Sequence, residues 1–121
     1  MLRPALYVVA AYQLALGLFM AVAPGTFFSE VGPFGARNDH YVRDMASWEL
    51  ALAAVAFVAA RRPAWRAPVL CLAAVHFGLH ALNHLADVDA ADPHWVGLFD
   101  LVSLAAGTAL LAWLWRRAAR A

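Results

Sequence analysis

Long apolar segments constrain this chain more than any other feature. Four of them, at residues 5–23, 41–60, 67–86 and 95–115, approach the length needed to cross a membrane, since a hydrocarbon core about 30 Å thick takes about 20 helical residues. Of the 121 residues, 64% are hydrophobic, against roughly 45–50% in soluble domains. The sequence therefore predicts a single integral membrane domain.

The apolar segments have the pattern of helices. They are rich in Ala and Leu and show no alternation of apolar and polar residues, which a membrane strand would require. Pro24, Pro63 and Pro93 mark the breaks between them. We therefore expect an all-α four-helix transmembrane bundle, in which residues 24–40 form the longest loop.

Arginine is distributed unevenly over the connections. Seven of the nine basic residues precede the first segment, join the second to the third, or follow the fourth: Arg3, Arg61, Arg62, Arg66, Arg116, Arg117 and Arg120. The positive-inside rule then predicts that this side and both termini are cytoplasmic, in a multi-pass protein of the cell's inner (plasma) membrane. A formal net charge of only +1 and short arginine loops offer no surface for nucleic acid.

The longest loop is aromatic. Phe27, Phe28 and Phe34 lie among glycines and prolines, which suits a segment lying at the membrane surface or one that covers the outer mouth of the bundle. Asn38 or Asp39 then offers a side-chain oxygen to cap the next helix.

The third segment carries a polar stripe, in the stretch HFGLHALNHLAD. At about 100° per residue its polar side chains fall within an arc of roughly 100° on one helix face. They are His76, His80, Asn83, His84 and Asp87. Because lipid penalises such a stripe, it should face the interior of the protein.

The other three segments carry polar residues at depths that match this stripe, counted at about 1.5 Å per residue. They are Gln13, Asp44, Glu49 and Asp100. The sequence thus predicts a polar column that opens toward the outer side.

Histidines four apart on a helix can bind one metal ion, and carboxylates from neighbouring helices can complete a shell suited to zinc, iron or copper. The candidate ligands are His76, His80, His84, Asp44, Glu49 and Asp100. Residues expected to orient them are Asn83, Asp87, Arg43, His40, Ser47 and Gln13. Haem suits the pattern less well, because its two axial histidines usually come from different helices.

Other functions remain open at this point. The column could serve only to fix helix packing, in an accessory or assembly subunit of a membrane complex or in a homo-oligomer. Proton conduction is opposed by the absence of ionisable groups from the inner half of the column. Whether the protein is an enzyme stays undecided.

Two stretches of the chain resemble the small four-helix bacterial membrane families grouped around DoxX. They are LALGLFMAVAP in the first segment and HYVRDMASWELALAAVAFVAARRP through the second. That resemblance implies quinone-linked oxidoreduction or the role of a membrane subunit. The histidine row belongs to no pattern of that group. The resulting hypothesis is a metal site that supports redox or hydrolytic chemistry on a lipid-soluble, quinone-like ligand.

Overall fold

A computed structural model of the protein describes all residues, 1–121, and shows an all-helical chain. The helices are α1 (Leu2–Val22), α2 (Pro24–Glu30), α3 (Asp39–Arg61), α4 (Pro63–Ala86) and α5 (His94–Ala118).

The prediction of a four-helix bundle is wrong, because the chain has five helices. The additional helix is α2, in the segment predicted to be a loop. Pro24 ends the first apolar segment but occupies the first turn of α2, where its missing N–H costs nothing and its fixed φ favours a helix. The same effect starts α4 at Pro63, four residues earlier than predicted.

Three of the five helices, α1, α4 and α5, are long and apolar enough to cross a membrane, whereas four spans were predicted. Helix α3 is of similar length but carries Arg43, Asp44 and Glu49 in its first half. The cytoplasmic location of both termini stays a prediction. Many large apolar side chains of α1, α4 and α5 are exposed, such as Val8, Leu82 and, on α5, Leu98, as suits contact with lipid.

The long helices form two antiparallel pairs, α1 with α3 and α4 with α5. In the first pair Tyr7 packs edge-on against Phe57, with ring centroids 5.7 Å apart. In the second, Gly107 lies against the ring of Phe77. The missing side chain at Gly107 therefore leaves room for Phe77 where α5 packs on α4. Helix α3 joins the two pairs through its contacts with α4.

The two ends of the molecule differ in packing. At the end where α3 leads into α4, called here the arginine end, small side chains of α3 and α4 such as Ala56, Ala60 and Ala73 are fully or almost fully buried, together with Leu6 and Leu70. Small residues let helices approach closely and pack without gaps. At the opposite end, called here the cavity end, the same helices separate around an internal space.

Helix α2 and the segment after it lie across the cavity end. Asn38 caps α3 by accepting a hydrogen bond from the Tyr41 N–H at 3.1 Å, one of the two predicted caps. Phe34 forms an isolated antiparallel bridge with Ala91 in the α4–α5 connection. This bridge ties the covering segment to the other helix pair.

Candidate functional site

The cavity at the cavity end has a volume of about 400 Å³ and receives side chains from all five helices. Twelve of its twenty lining residues are hydrophobic, and the polar groups are concentrated in a few positions. The lining residues with hydrogen-bonding side chains are Tyr12, Gln13, Tyr41, Glu49, His76, His80, His84, Asp100 and Ser103. A mostly apolar cavity with a few converging polar groups is the usual form of a small-molecule site.

Gln13 is the most unusual of these residues. Its side chain is fully buried, yet neither its Nε2 nor its Oε1 atom has a hydrogen-bond partner within the protein. Leaving a buried polar group unpaired costs about 1–3 kcal/mol. Gln13 is one of the residues in the cavity wall.

Glu49 also lies in the cavity wall and contacts the first histidine of the row. Its Oε1 atom is 3.5 Å from Nε2 of His76, while its Oε2 atom is buried without a partner. Trp48 packs on the other side of His76, with ring centroids 5.4 Å apart. Glu49 and His76 therefore form one polar contact between α3 and α4, with one carboxylate oxygen left over.

His80 and His84 form a second, separate contact. Their Nε2 atoms are 3.1 Å apart, and Nδ1 of His84 is 3.9 Å from Oδ2 of Asp100 on α5. The rings of His76 and His80 are farther apart, at 5.9 Å between centroids. The predicted row of three histidines is thus divided into one that faces Glu49 and two that face each other.

The six predicted metal ligands do not converge on one point. No group of three His, Cys, Asp or Glu side chains is arranged so that it could hold a metal ion. Asp44 lies outside the cavity on the exposed face of α3, where its Oδ2 is 3.4 Å from Nε2 of His40. Five residues of helix place Glu49 about 140° from Asp44 around the axis of α3, and only Glu49 faces inward.

Three residues predicted to orient the ligands also lie elsewhere. His40 is exposed beside Asp44, Arg43 is exposed and forms no ion pair, and the Ser47 hydroxyl donates to the Asp44 carbonyl on its own helix at 2.6 Å. Each sits on the outward face of α3 and has no part in the cavity.

A second, smaller pocket of about 210 Å³ lies beside the first. It is lined by Phe34, His80, Asn83, His84 and Asp87. Asn83 and Asp87 lie next to the histidine pair but are exposed, so the prediction that the whole stripe faces the interior is wrong for these two residues. Phe34 packs edge-on against His84, with ring centroids 4.8 Å apart.

Sequence reasoning missed several residues of the site. Tyr12 precedes Gln13 and its ring lies 6.5 Å from that of Phe77, but an aromatic residue in an apolar helix gives no signal of its own. Ser103 follows Asp100 by one turn and could have been found from helical periodicity. Phe34 lies in the aromatic segment that the sequence offered as a cover for the outer mouth of the bundle, but its contact with His84, 50 residues away in the chain, is indicated by no local pattern.

No family model, curated protein or solved structure matches the chain.

Proposed function

We propose that this protein binds a lipid-soluble small molecule with a polar head group in the cavity, within the plasma membrane. The observation that carries the proposal is Gln13, a fully buried amide that lines the cavity with both of its polar atoms unpartnered. A group of this kind is costly to the free protein. Binding a ligand that pairs with it recovers that cost.

The side chains define the chemistry of the ligand. The amide of Gln13 offers an NH₂ group with two N–H donors and a carbonyl acceptor, and the free oxygen of Glu49 offers a further acceptor. Around them the wall is formed by aromatic and aliphatic side chains such as Phe27, Leu16 and Leu104. A ring with polar substituents and an apolar tail fits this combination, and a volume of about 400 Å³ lies within the usual range for such ligands.

Two lining residues indicate how the ligand reaches the site. Tyr12 on α1 and Phe99 on α5 both line the cavity, yet they are 53% and 61% exposed. Helix α1 packs on α3 and α5 packs on α4, so Tyr12 and Phe99 belong to different helix pairs. We infer that the ligand arrives from the lipid, with its tail between α1 and α5.

A quinone-like molecule, the ligand implied by the resemblance to the DoxX group, belongs to this class, since its ring carries oxygen acceptors that become donors when it is reduced. The proposal concerns binding and assigns no reaction to the cavity.

The structural alternative, in which the polar side chains only fix helix packing, is less well supported. Polar groups that hold helices together do so by bonding to one another, whereas Gln13 bonds to nothing in the protein and Glu49 retains a free oxygen. Conduction across the membrane is also disfavoured, because the arginine end is closed by a packed core of Ala and Leu side chains.

The proposal is tested by identifying what the protein carries. The wild type and a Gln13→Leu variant are purified from bacterial membranes in mild detergent, extracted with organic solvent and compared by mass spectrometry. We expect one lipid-soluble, ring-containing compound near one equivalent per wild-type chain and little in the variant. Ser47→Ala, on the outward face of α3, serves as the matched control and should retain it. Equal amounts in all three proteins, or none in the wild type, would count against the proposal.

A further inference from the structure

The pair His80 and His84 forms a site that the proposed ligand does not require. We propose that these two residues bind one divalent transition-metal ion through their Nε2 atoms, at the boundary between the cavity and the smaller pocket. The two atoms already face each other at 3.1 Å.

The separation of the two nitrogens fits a common metal ion. Imidazole nitrogen binds zinc at about 2.0–2.1 Å, so two such ligands at a tetrahedral angle stand about 3.3 Å apart. The observed separation of 3.1 Å differs from this by a few tenths of an ångström. Small rotations of the rings are therefore enough to admit the ion.

Asp100 provides the second independent observation. Nδ1 of His84 is buried without a hydrogen-bond partner and faces Oδ2 of Asp100 at 3.9 Å. When Nε2 binds a metal, the proton of a neutral imidazole sits on Nδ1, where it would point at this carboxylate. Metal-binding histidines commonly donate their other N–H to a carboxylate, which fixes the ring and makes it a better ligand. Because 3.9 Å exceeds hydrogen-bond distance, Asp100 acts as a positioning residue for His84 once its carboxylate approaches the ring by about 1 Å.

The smaller pocket provides the room for the remaining coordination positions. Its volume is about 210 Å³, and Asn83 and Asp87 line it beside the two histidines. Asn83 and Asp87 offer oxygen donors, and water can occupy any position they do not fill. Two nitrogens with oxygen donors suit zinc, copper or nickel rather than calcium or magnesium.

A hydrogen bond between the two imidazoles would also bring the nitrogens to this distance. A metal site and a hydrogen-bonded pair can be told apart by measuring metal binding. Only the metal site gives saturable binding of the ion. The test must exclude the exposed pair His40 and Asp44, whose closest atoms are 3.4 Å apart, and the exposed His94.

The experiment therefore uses the full chain with His40→Ala and His94→Ala as the background, purified on a tag without histidine and stripped with chelator. Equilibrium dialysis against Zn²⁺ gives the stoichiometry and affinity. Electron paramagnetic resonance with Cu²⁺ counts the bound nitrogens from their hyperfine coupling. Thermal unfolding of every variant checks that it is folded, and His84→Gln replaces His84→Ala if the alanine variant does not fold.

We expect one Zn²⁺ per chain and a Cu²⁺ spectrum with two imidazole nitrogens. His80→Ala and His84→Ala should each abolish saturable binding, and Asp100→Asn should weaken it about 10–100-fold, as the loss of a supporting carboxylate does. Gln13→Leu should leave metal binding unchanged, which separates this inference from the proposed function. Well under one ion per chain, or a Zn²⁺ affinity in His80→Ala or His84→Ala equal to that of the background protein, would overturn it.

Discussion

Glu49 on α3 and His76 on α4 meet inside the protein, with Oε1 of the carboxylate 3.5 Å from Nε2 of the ring. Their side chains are only 7% and 17% exposed. This contact joins the two helix pairs at the cavity wall, and it leaves the other Glu49 oxygen buried and free. The same residue thus links helices and offers an acceptor to the cavity.

A His76→Ala substitution should destabilise the protein by about 1–3 kcal/mol, because it removes the partner of a buried carboxylate. Adding Glu49→Gln should recover part of that loss, since the neutral amide costs less to bury unpaired. Thermal or denaturant unfolding of both single variants and the double variant measures the coupling between the two residues. Strictly additive effects would show that the contact contributes nothing.

Alanine substitutions at Gly97 and Gly78 should have opposite effects on the stability of the protein. A Cβ atom at Gly97 would collide with the backbone carbonyl oxygen of Val88, whereas at Gly78 it would only reach ordinary contact with Thr108 at 3.4 Å. Gly97→Ala should therefore cost about 1–3 kcal/mol through backbone displacement. Gly78→Ala should be neutral or stabilise the helix by up to about 1 kcal/mol. Melting temperatures of the two variants test the contrast, and a tolerated Gly97→Ala would contradict the packing of this connection on α5.

Arg37 should hold α2 in place. Its guanidinium donates to both carboxylate oxygens of Asp39, at 2.6 and 2.8 Å, and packs over Gly25 in the first turn of α2. Arg37→Ala is expected to speed amide hydrogen exchange in residues 24–30. Arg43→Ala, which removes an exposed arginine without an ion pair, is the matched control and should have no such effect.

Because of the contact between Arg37 and Asp39, the protection of α2 from amide hydrogen exchange should also depend on pH. The hydrogen bond from Arg37 holds the pKa of Asp39 below its ordinary value of 3.8. A carboxylate with a lowered folded-state pKa contributes stability above its unfolded-state pKa and loses it as pH falls through the folded-state value. The protection factors in α2, which are exchange rates corrected for the intrinsic rate at each pH, should therefore fall only below about pH 4 in the wild type, and this step should be absent in Arg37→Ala. A step at neutral pH would assign the effect to another group.

Phe34 should shield the histidine pair. Its ring packs edge-on against His84 at 4.8 Å, and both residues line the two pockets. Phe34→Ala is expected to increase the rate at which diethyl pyrocarbonate modifies His84, measured by peptide mass spectrometry. Phe28→Ala, which removes a neighbouring aromatic residue that lines neither pocket, should leave the rate unchanged. Equal rates in the wild type and Phe34→Ala would show that Phe34 does not control access.

The positions of the long helices could be predicted from the sequence because apolar runs and proline breaks are local signals. Helix α2 could not, since Pro24 and Gly25 mark the end of one helix and the start of another equally well. The inward direction of His76, His80 and His84 followed from helical geometry. Their division into two contacts could not be predicted from the sequence. It depends on how close α3 and α5 approach α4, and no local sequence pattern gives those distances.

The central claim is that Gln13 binds a ligand rather than supporting the fold, and a titration of the purified protein tests it most directly. A benzoquinone with a decyl tail serves as the probe, and its binding is followed by quenching of tryptophan fluorescence. Trp48 packs on His76, and a Trp48→Phe variant identifies the part of the signal that comes from Trp48. We expect saturable quenching in the wild type. Gln13→Leu should weaken probe binding at least about tenfold, the equivalent of 1.4 kcal/mol, with a melting temperature equal to or above that of the wild type because two unpaired buried atoms are removed. Unchanged binding together with a lower melting temperature in Gln13→Leu would contradict the account.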